Sequence, residues 1–266
     1  MIAGNGRFPV LALETARRAG DEVVVVAIKE EASPEVEQLA DRCYWISLGQ
    51  LSRLIEILKE ESITEVMMAG QVKHASIFSS IRPDWKLVKL LAGLKQKNTD
   101  ALIGGVAQIL ADEGIRLADS TLLLKPLLAG VGVLSKRKPS TEEERDIAYG
   151  RKIANALAGV DVGQSVAICG GACVVVEAME GTDAMLDRAA SLVNGKALCL
   201  VKVSRRRKHL LFDVPVAGPA TIEAMQKAGA TALAIDAGRT LLLDRDAMLA
   251  RANELGIAIV GCEPLP

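Results

Sequence analysis

Valine- and isoleucine-rich runs alternate with amphipathic helical patterns between residues 22 and 69, in units that suit parallel strands joined by crossovers. In the second half, two apolar runs flank Gly170-Gly171, a hairpin signal, and strand and helix patterns again alternate. Half of the residues are hydrophobic but only 3% are aromatic, so Val, Leu, Ile and Ala must fill the core. These observations predict an α/β protein with a Rossmann-like N-terminal domain built on a parallel sheet, a helical connector, and a mixed α/β C-terminal domain. At 266 residues the chain exceeds the usual size of one compact domain. The boundary is expected where the Leu-rich run 121–134 leads into polar residues 135–140, giving domains 1–130 and 131–266.

The elements follow in order. A short apolar run leads into Gly4-Asn5-Gly6 and then a helix with Pro9 near its first turn, which stops at Gly20. Either that first strand has three residues or residues native to the start precede this numbering. Residues 22–28 read as a buried parallel strand, 34–42 as a short helix, 43–48 as a strand, 51–61 as an amphipathic helix and 65–69 as the next strand. Two helical stretches, 84–96 and 100–113, come next. Asp100 sits at a helix start, where N-capping by itself explains an aspartate. Ser140 with Glu143 three residues on forms a capping box, opening a helix to about residue 157 that would carry the chain into the second domain. The hairpin strands are 165–169 and 173–178. A helix from Thr182 or Asp183 to 193, a strand at 198–203, a helix at 219–228 and strands at 231–237 and 240–243 follow, and Asp244 caps a last helix before a strand at 257–260.

The balance of 32 basic and 33 acidic residues argues against a general nucleic-acid binder, so any anion site must be local. Five scattered cysteines, mostly in apolar runs, read as buried thiols in a reducing cytosol. Cys169 and Cys173 do not have a zinc spacing, and His74 and His209 are the only histidines, which argues against a zinc centre. The longest apolar region, 121–134, is broken by Lys125-Pro126 and too short to span a bilayer, so a soluble cytoplasmic protein is expected.

Asp213 is the first candidate for chemistry. It lies in the apolar run 210–218 beside Pro215, and a carboxylate buried there must be paired, metal-bound or neutralised. A solvated turn aspartate is the plainer alternative. Lys202 and the basic residues 205–208 concentrate charge just upstream, either as a solvated loop or to hold a phosphorylated substrate or anionic surface. Glu180-Gly181-Thr182-Asp183 supplies two carboxylates and a hydroxyl at a helix start. With Asp213 these would suit Mg²⁺, against the alternative of a capping aspartate and a solvated glutamate. Gly4-Asn5-Gly6 lies between strand and helix, where backbone N–H groups suit a phosphate, or is a tight structural turn. It completes no dinucleotide fingerprint, because Pro9 takes the third glycine position and Lys29 follows the next strand. Lys73 and Gln164 are polar groups near predicted strand ends.

The blocks Ile2 to Val10, Asp161 to Ser165, Glu177 to Leu186, Phe212 to Ile222 and Ala237 to Leu242 together resemble the two-domain UDP-2,3-diacylglucosamine pyrophosphatase family of lipid A biosynthesis. The match spans the chain, and the Glu-Gly-Thr-Asp-Ala-Met-Leu and Asp-Val-Pro blocks are its most specific parts. The resemblance implies Mg²⁺-dependent hydrolysis of the substrate's pyrophosphate to UMP and 2,3-diacylglucosamine 1-phosphate (lipid X), with water directed at the sugar-side phosphorus. It makes Asp213 the critical carboxylate. Asp183 and Glu180 are then candidate metal partners and Lys202 a charge clamp. The candidate substrate contacts are Gly4, Asn5, Gly6, Lys73, Asp100, Gln164, Gly181, Thr182 and Lys202. Leu211 departs from the arginine that family members often carry two residues before the aspartate.

The expected setting is an interdomain cleft with metal and basic groups at its centre and apolar walls for two acyl chains. The expected partner is the UDP-diacylglucosamine glycolipid, with no nucleic acid, and with transient inner-membrane contact and homodimerisation as open options. A non-catalytic nucleotide or glycolipid carrier using the same cleft is the competing class. A nucleotide-dependent oxidoreductase is weakened by the missing fingerprint.

Overall fold

The computed structural model describes residues 1–72, 83–94, 99–205 and 214–265, without the side chains of Thr99 and Asp100. They pack as two units, one within residues 1–124 and the other formed by 125–205 with 214–265.

The first unit begins β1 (Ile2–Ala3), α1 (Phe8–Ala19), β2 (Val24–Ile28), α2 (Glu35–Leu39), β3 (Arg42–Ile46), α3 (Leu51–Glu60), β4 (Glu65–Val66) and β5 (Met68–Ala69). Four of these strands form a parallel sheet in the order β3-β2-β1-β5. All five residues of β2 are buried, as a strand covered on both faces requires. Leu51, Leu54, Ile55 and Leu58 place one apolar stripe of α3 against the core, which α4 (Trp85–Gly93) and α5 (Thr99–Asp112) complete through Leu87 and Leu110. The strand expected at 65–69 is divided. β5 joins β1, whereas β4 pairs with β6 (Arg116–Leu117) in a separate parallel ladder.

The second unit holds β7 (Gly132–Val133), α6 (Thr141–Gly159), β8 (Ser165–Cys169), β9 (Ala172–Val176), α7 (Thr182–Val193), β10 (Leu198–Lys202), β11 (Val216–Ala217), α8 (Pro219–Ala228), β12 (Ala230–Asp236), β13 (Leu241–Leu242), α9 (Arg245–Glu254) and β14 (Ala258–Cys262). Its six-stranded sheet runs β7-β14-β12-β10-β8-β9. The three middle strands β14, β12 and β10 are parallel, and the β8–β9 hairpin and β7 are antiparallel additions. Leu200, Ala167, Val175 and Leu233 face α7, α8 and α9 on one side. Val201, Val166, Ile168 and Ala234 face α6 on the other.

Thus α6, expected as a connector, is itself a layer of this unit. Its capping box forms, with Ser140 Oγ accepting from the Glu143 amide at 3.2 Å and Glu143 Oε2 accepting from the Ser140 amide at 2.7 Å. Glu143 also takes both arms of the Arg137 guanidinium at 2.7 and 2.8 Å and the Thr231 hydroxyl at 2.6 Å. One turn on, the two oxygens of Asp146 accept from the Gly170 and Gly171 amides at 3.0 and 2.6 Å. The hairpin turn needs both glycines, whose φ values are +56° and +80°.

The strand expected at 240–243 forms as β13, which pairs with β11 in a parallel ladder of its own. One expectation is corrected here. Asp244 occupies the N-cap position of α9 with φ of +45° but gives no side-chain capping bond. All five cysteines are free thiols, and burial pushes the Cys199 thiol up to about 12. Among the described residues no helix is long and apolar enough to cross a membrane.

Candidate active site

Three adjacent strands of the second unit change chemistry at the same level. On the face that packs against α7, β10 presents Leu198 and Leu200 and then Lys202, while β9 presents Val175 and then Glu177 just past its end. The intervening β8 presents Ala167 and, in the opposite direction, Ser165, which is the register partner of Lys202. An apolar floor therefore ends in Lys202, Ser165 and Glu177, all buried. The rim lies at the carboxyl ends of the parallel strands, where sites in open α/β sheets form. The backbone holds it tightly. Glu177 N–H donates to Ser165 O at 2.8 Å and Val203 N–H to Gln164 O at 2.9 Å. Gly163 leaves no room for a Cβ beside the Glu177 carbonyl.

The start of α7 closes over this rim. Gly181, with φ of +85°, turns the chain so that Thr182 opens the helix. Thr182 Oγ1 donates to Glu177 Oε1 at 2.8 Å and accepts from Lys202 Nζ at 3.2 Å. Among the described residues, Glu177 Oε2 and Ser165 Oγ are buried without a hydrogen-bond partner. An ammonium has three donors, so Lys202 keeps capacity for an anion beyond its bond to Thr182. The positive end of the α7 dipole adds to the same potential. The arrangement can hold an anionic oxygen and offer a carboxylate oxygen to a donor.

The other expected members of this loop are engaged differently. Glu180 accepts from the Ala178 amide at 3.0 Å and from Arg188 at 2.6 Å, and Arg188 also donates to Val176 O at 2.9 Å. Its own backbone amide and the Arg188 guanidinium hold Glu180 below its ordinary value. Asp183 is exposed in the first turn of α7. Sequence reasoning singled out Thr182, Lys202, Gly181 and Gln164, which the structure gathers here, and missed Glu177. The missed signal is the polar switch on neighbouring strands, which needs the Lys202–Ser165 register to be seen.

On the sheet's opposite face, a second polar group anchors the chain as it leaves β10. Asp236 Oδ2 accepts from the Ser204 amide at 2.8 Å, and Oδ1 lies 3.5 Å from the Arg151 guanidinium. Burial pushes Asp236 above the usual carboxylate range against the pull of those partners. Arg205 pairs with Asp161 at 2.5 Å, and Arg239 donates to Arg205 O at 3.3 Å. Asp213 and Lys73 lie outside the described residues, as does the side chain of Asp100 in α5, which begins one residue earlier at Thr99.

In the first unit, Gly4-Asn5-Gly6 sits between β1 and α1 as expected, and its geometry has a structural cause. Asn5 and Gln71 exchange backbone hydrogen bonds at 2.7 and 3.0 Å, and a Cβ on Gly4 would lie 2.6 Å from Gln71 O. The N-cap of α1 is Arg7, which makes no side-chain capping bond and reaches Glu14 and Glu35 at 3.4 and 3.6 Å.

The donor set bears on Mg²⁺. Among the described residues no three His, Cys, Asp or Glu side chains gather as a metal site. Glu180 would have to leave Arg188 to serve, and the Lys202 ammonium bonded to Thr182 beside Glu177 is an unfavourable neighbour for a second cation. The described residues alone do not make a fit.

The family model described as the LpxI N-terminal domain matches residues 1–127, and that described as the LpxI C-terminal domain matches residues 130–260. The Caulobacter vibrioides protein named UDP-2,3-diacylglucosamine pyrophosphatase LpxI is 31% identical over 276 residues, covering 99% of this chain and 97% of that one. Among solved structures, the biotin carboxylase domain of the Hydrogenobacter thermophilus 2-oxoglutarate carboxylase aligns at 10% identity and a TM-score of 0.29, over 71% of this chain and 40% of that one. A second biotin carboxylase domain, from a thermophilic 2-oxoglutarate carboxylase, gives the same identity and TM-score over 73% and 32%. Likeness that slight carries no argument about fold or chemistry. With both domain models matched and a relative alike from end to end, the chain belongs to the LpxI family.

Proposed function

We propose that this protein hydrolyses the pyrophosphate of UDP-2,3-diacylglucosamine to UMP and 2,3-diacylglucosamine 1-phosphate in lipid A biosynthesis. The observation that carries the reading is the end-to-end identity of 31% with a pyrophosphatase named for that substrate. The rim of the second unit supports it chemically. Lys202, oriented by Thr182 at the start of α7, meets a negatively charged phosphate oxygen of the bound substrate and holds it in place. Asp213 aligns the attacking water. The Asp236–Ser204 and Asp161–Arg205 contacts fix the strand end from which the chain continues toward Asp213.

Magnesium dependence belongs to the same proposal through Asp213, which lies outside the described residues; Glu180 would join it only by leaving Arg188, and Asp183 from its exposed place in the first turn of α7. A bound Mg²⁺ would neutralise pyrophosphate charge. The two acyl chains of the substrate support a cytoplasmic enzyme that touches the inner-membrane surface transiently, and light scattering decides whether it does so as a homodimer.

The test is UMP release from UDP-2,3-diacylglucosamine by wild type with Mg²⁺, with EDTA, and by Asp213→Asn. Wild type should turn over, and EDTA should stop it. Asp213→Asn should lose about a thousandfold or more. Tight binding of the glycolipid without UMP release would replace the enzyme with a carrier. Full activity in Asp213→Asn would remove that residue from the mechanism, and full activity in EDTA would remove the metal.

A further inference from the structure

We infer that Glu177 is a positioning residue for the pyrophosphatase reaction, orienting the Thr182 hydroxyl so that the Lys202 ammonium is presented to an anionic oxygen of the diphosphate substrate. The inference rests on the activity proposed above and adds a residue and a relay to it. A threonine hydroxyl has a single proton. Thr182 gives that proton to Glu177 Oε1, so the lone pairs of Oγ1 face Lys202 and accept from it. With a neutral acceptor in place of the carboxylate, that proton is held less firmly and swings more readily toward Lys202, where the ammonium repels it and loses its orienting bond. The direction of the relay, Lys202 to Thr182 to Glu177, is therefore set by the carboxylate.

Each member is held by regular structure. Lys202 ends a strand flanked by neighbours on both sides, Thr182 opens a helix of 12 residues, and Glu177 is pinned by Ser165 O and by the close approach of Gly163. Rigid placement of this kind is what a binding group needs from residues behind it. The unspent oxygen separates Glu177 from a merely structural acid. Glu177 Oε2 is buried with no hydrogen-bond partner among the described residues, a costly arrangement that a fold-holding bond would not require.

Kinetics of Glu177→Gln, Thr182→Val, Thr182→Ser and the Glu177→Gln/Thr182→Val double variant test the inference, with thermal melting of each. Glu177→Gln should lower kcat/KM about tenfold, the scale of one charge-assisted hydrogen bond, chiefly by raising KM. Its Tm should stay within about 2 °C of wild type. Thr182→Val should lose a similar factor, Thr182→Ser should keep most activity, and the double variant should be no worse than the poorer single, because one relay is broken once. Unchanged kcat/KM in Glu177→Gln overturns the inference, as does multiplication of the two losses in the double variant. A rate loss that merely follows a lowered Tm also overturns it. Should Thr182→Val fail to fold, Glu177→Asp replaces it, and an unchanged KM there counts against the relay. If wild type releases no UMP, the pyrophosphatase reading falls and the inference with it. If wild type is active and the variants match it, only the inference falls.

Discussion

Glu143, Asp146 and Glu177 are three carboxylates of the second unit with nearly equal exposure, 9%, 7% and 8%. Their use of that burial differs. Glu143 meets a bidentate guanidinium, a hydroxyl and a backbone amide, and Asp146 spends each oxygen on a turn amide. Glu177 spends one oxygen on Thr182 and keeps the other unspent. Burial alone therefore does not separate structural acids from functional ones. Among these three, saturation does, because desolvating an acid is offset only by the partners it gains.

Breaking the saturated set should cost the fold. Glu143→Ala takes the paired carboxylate from Arg137, which keeps only backbone carbonyls, and the acceptor from the Thr231 hydroxyl, and should lower unfolding free energy by about 3 kcal/mol, with kcat/KM per folded molecule unchanged. Urea denaturation with activity measured on the same samples checks both parts, and a stability loss well under 1 kcal/mol would sink the structural assignment.

The same residue has a pH signature. Burial by itself would raise Glu143, but Arg137, the Thr231 hydroxyl and the Ser140 amide outweigh it and hold the carboxyl at about 2, from an ordinary value of 4.5. A carboxyl lowered on folding contributes stability in full above its unfolded value, and that contribution drains away as pH falls toward the folded one. The stability gap between wild type and Glu143→Gln should accordingly be complete near neutrality and close between pH 4.5 and about 2. A gap independent of pH across that window would contradict the pairing.

Smaller effects follow. Asp146→Asn keeps one acceptor for the Gly170-Gly171 turn and should cost about 1–2 kcal/mol, read by denaturation and by faster amide exchange at those two glycines. Arg188→Gln removes a half-exposed partner of Glu180 and should cost less than about 1 kcal/mol. A larger loss there would mean that the turn before α7 depends on Arg188 more than an exposed pair allows.

Legibility in the sequence follows the range of the interactions. The Ser140–Glu143 box, the Gly20 and Gly229 helix ends and the Gly170-Gly171 hairpin were readable because their chemistry lies within a few residues. Residues 65–69 read as one strand because nothing local says that Val66 pairs with Leu117 while Ala69 pairs with Ala3. Leu241–Leu242 reads as a strand from its own residues, but its partner Val216–Ala217 is chosen by distant chain. Asp244 looked like a cap by residue type, but its φ of +45° accompanies a helix start without a side-chain bond. In the candidate site, Lys202 and Thr182 stood out through charge and motif. Glu177 did not, since one acid after a valine run is ordinary until β8 and β10 are put in register.

The most direct measurement is a paired one, Tm and kcat/KM for UMP release in Glu143→Gln and Glu177→Gln. The account predicts a crossed result. Glu143→Gln melts several degrees lower with an unaltered rate per folded molecule, and Glu177→Gln melts as wild type with kcat/KM down about tenfold. Parallel behaviour of the two variants, with both losing stability and neither changing the rate of the folded enzyme, would contradict the claim that the unsaturated carboxylate marks the site.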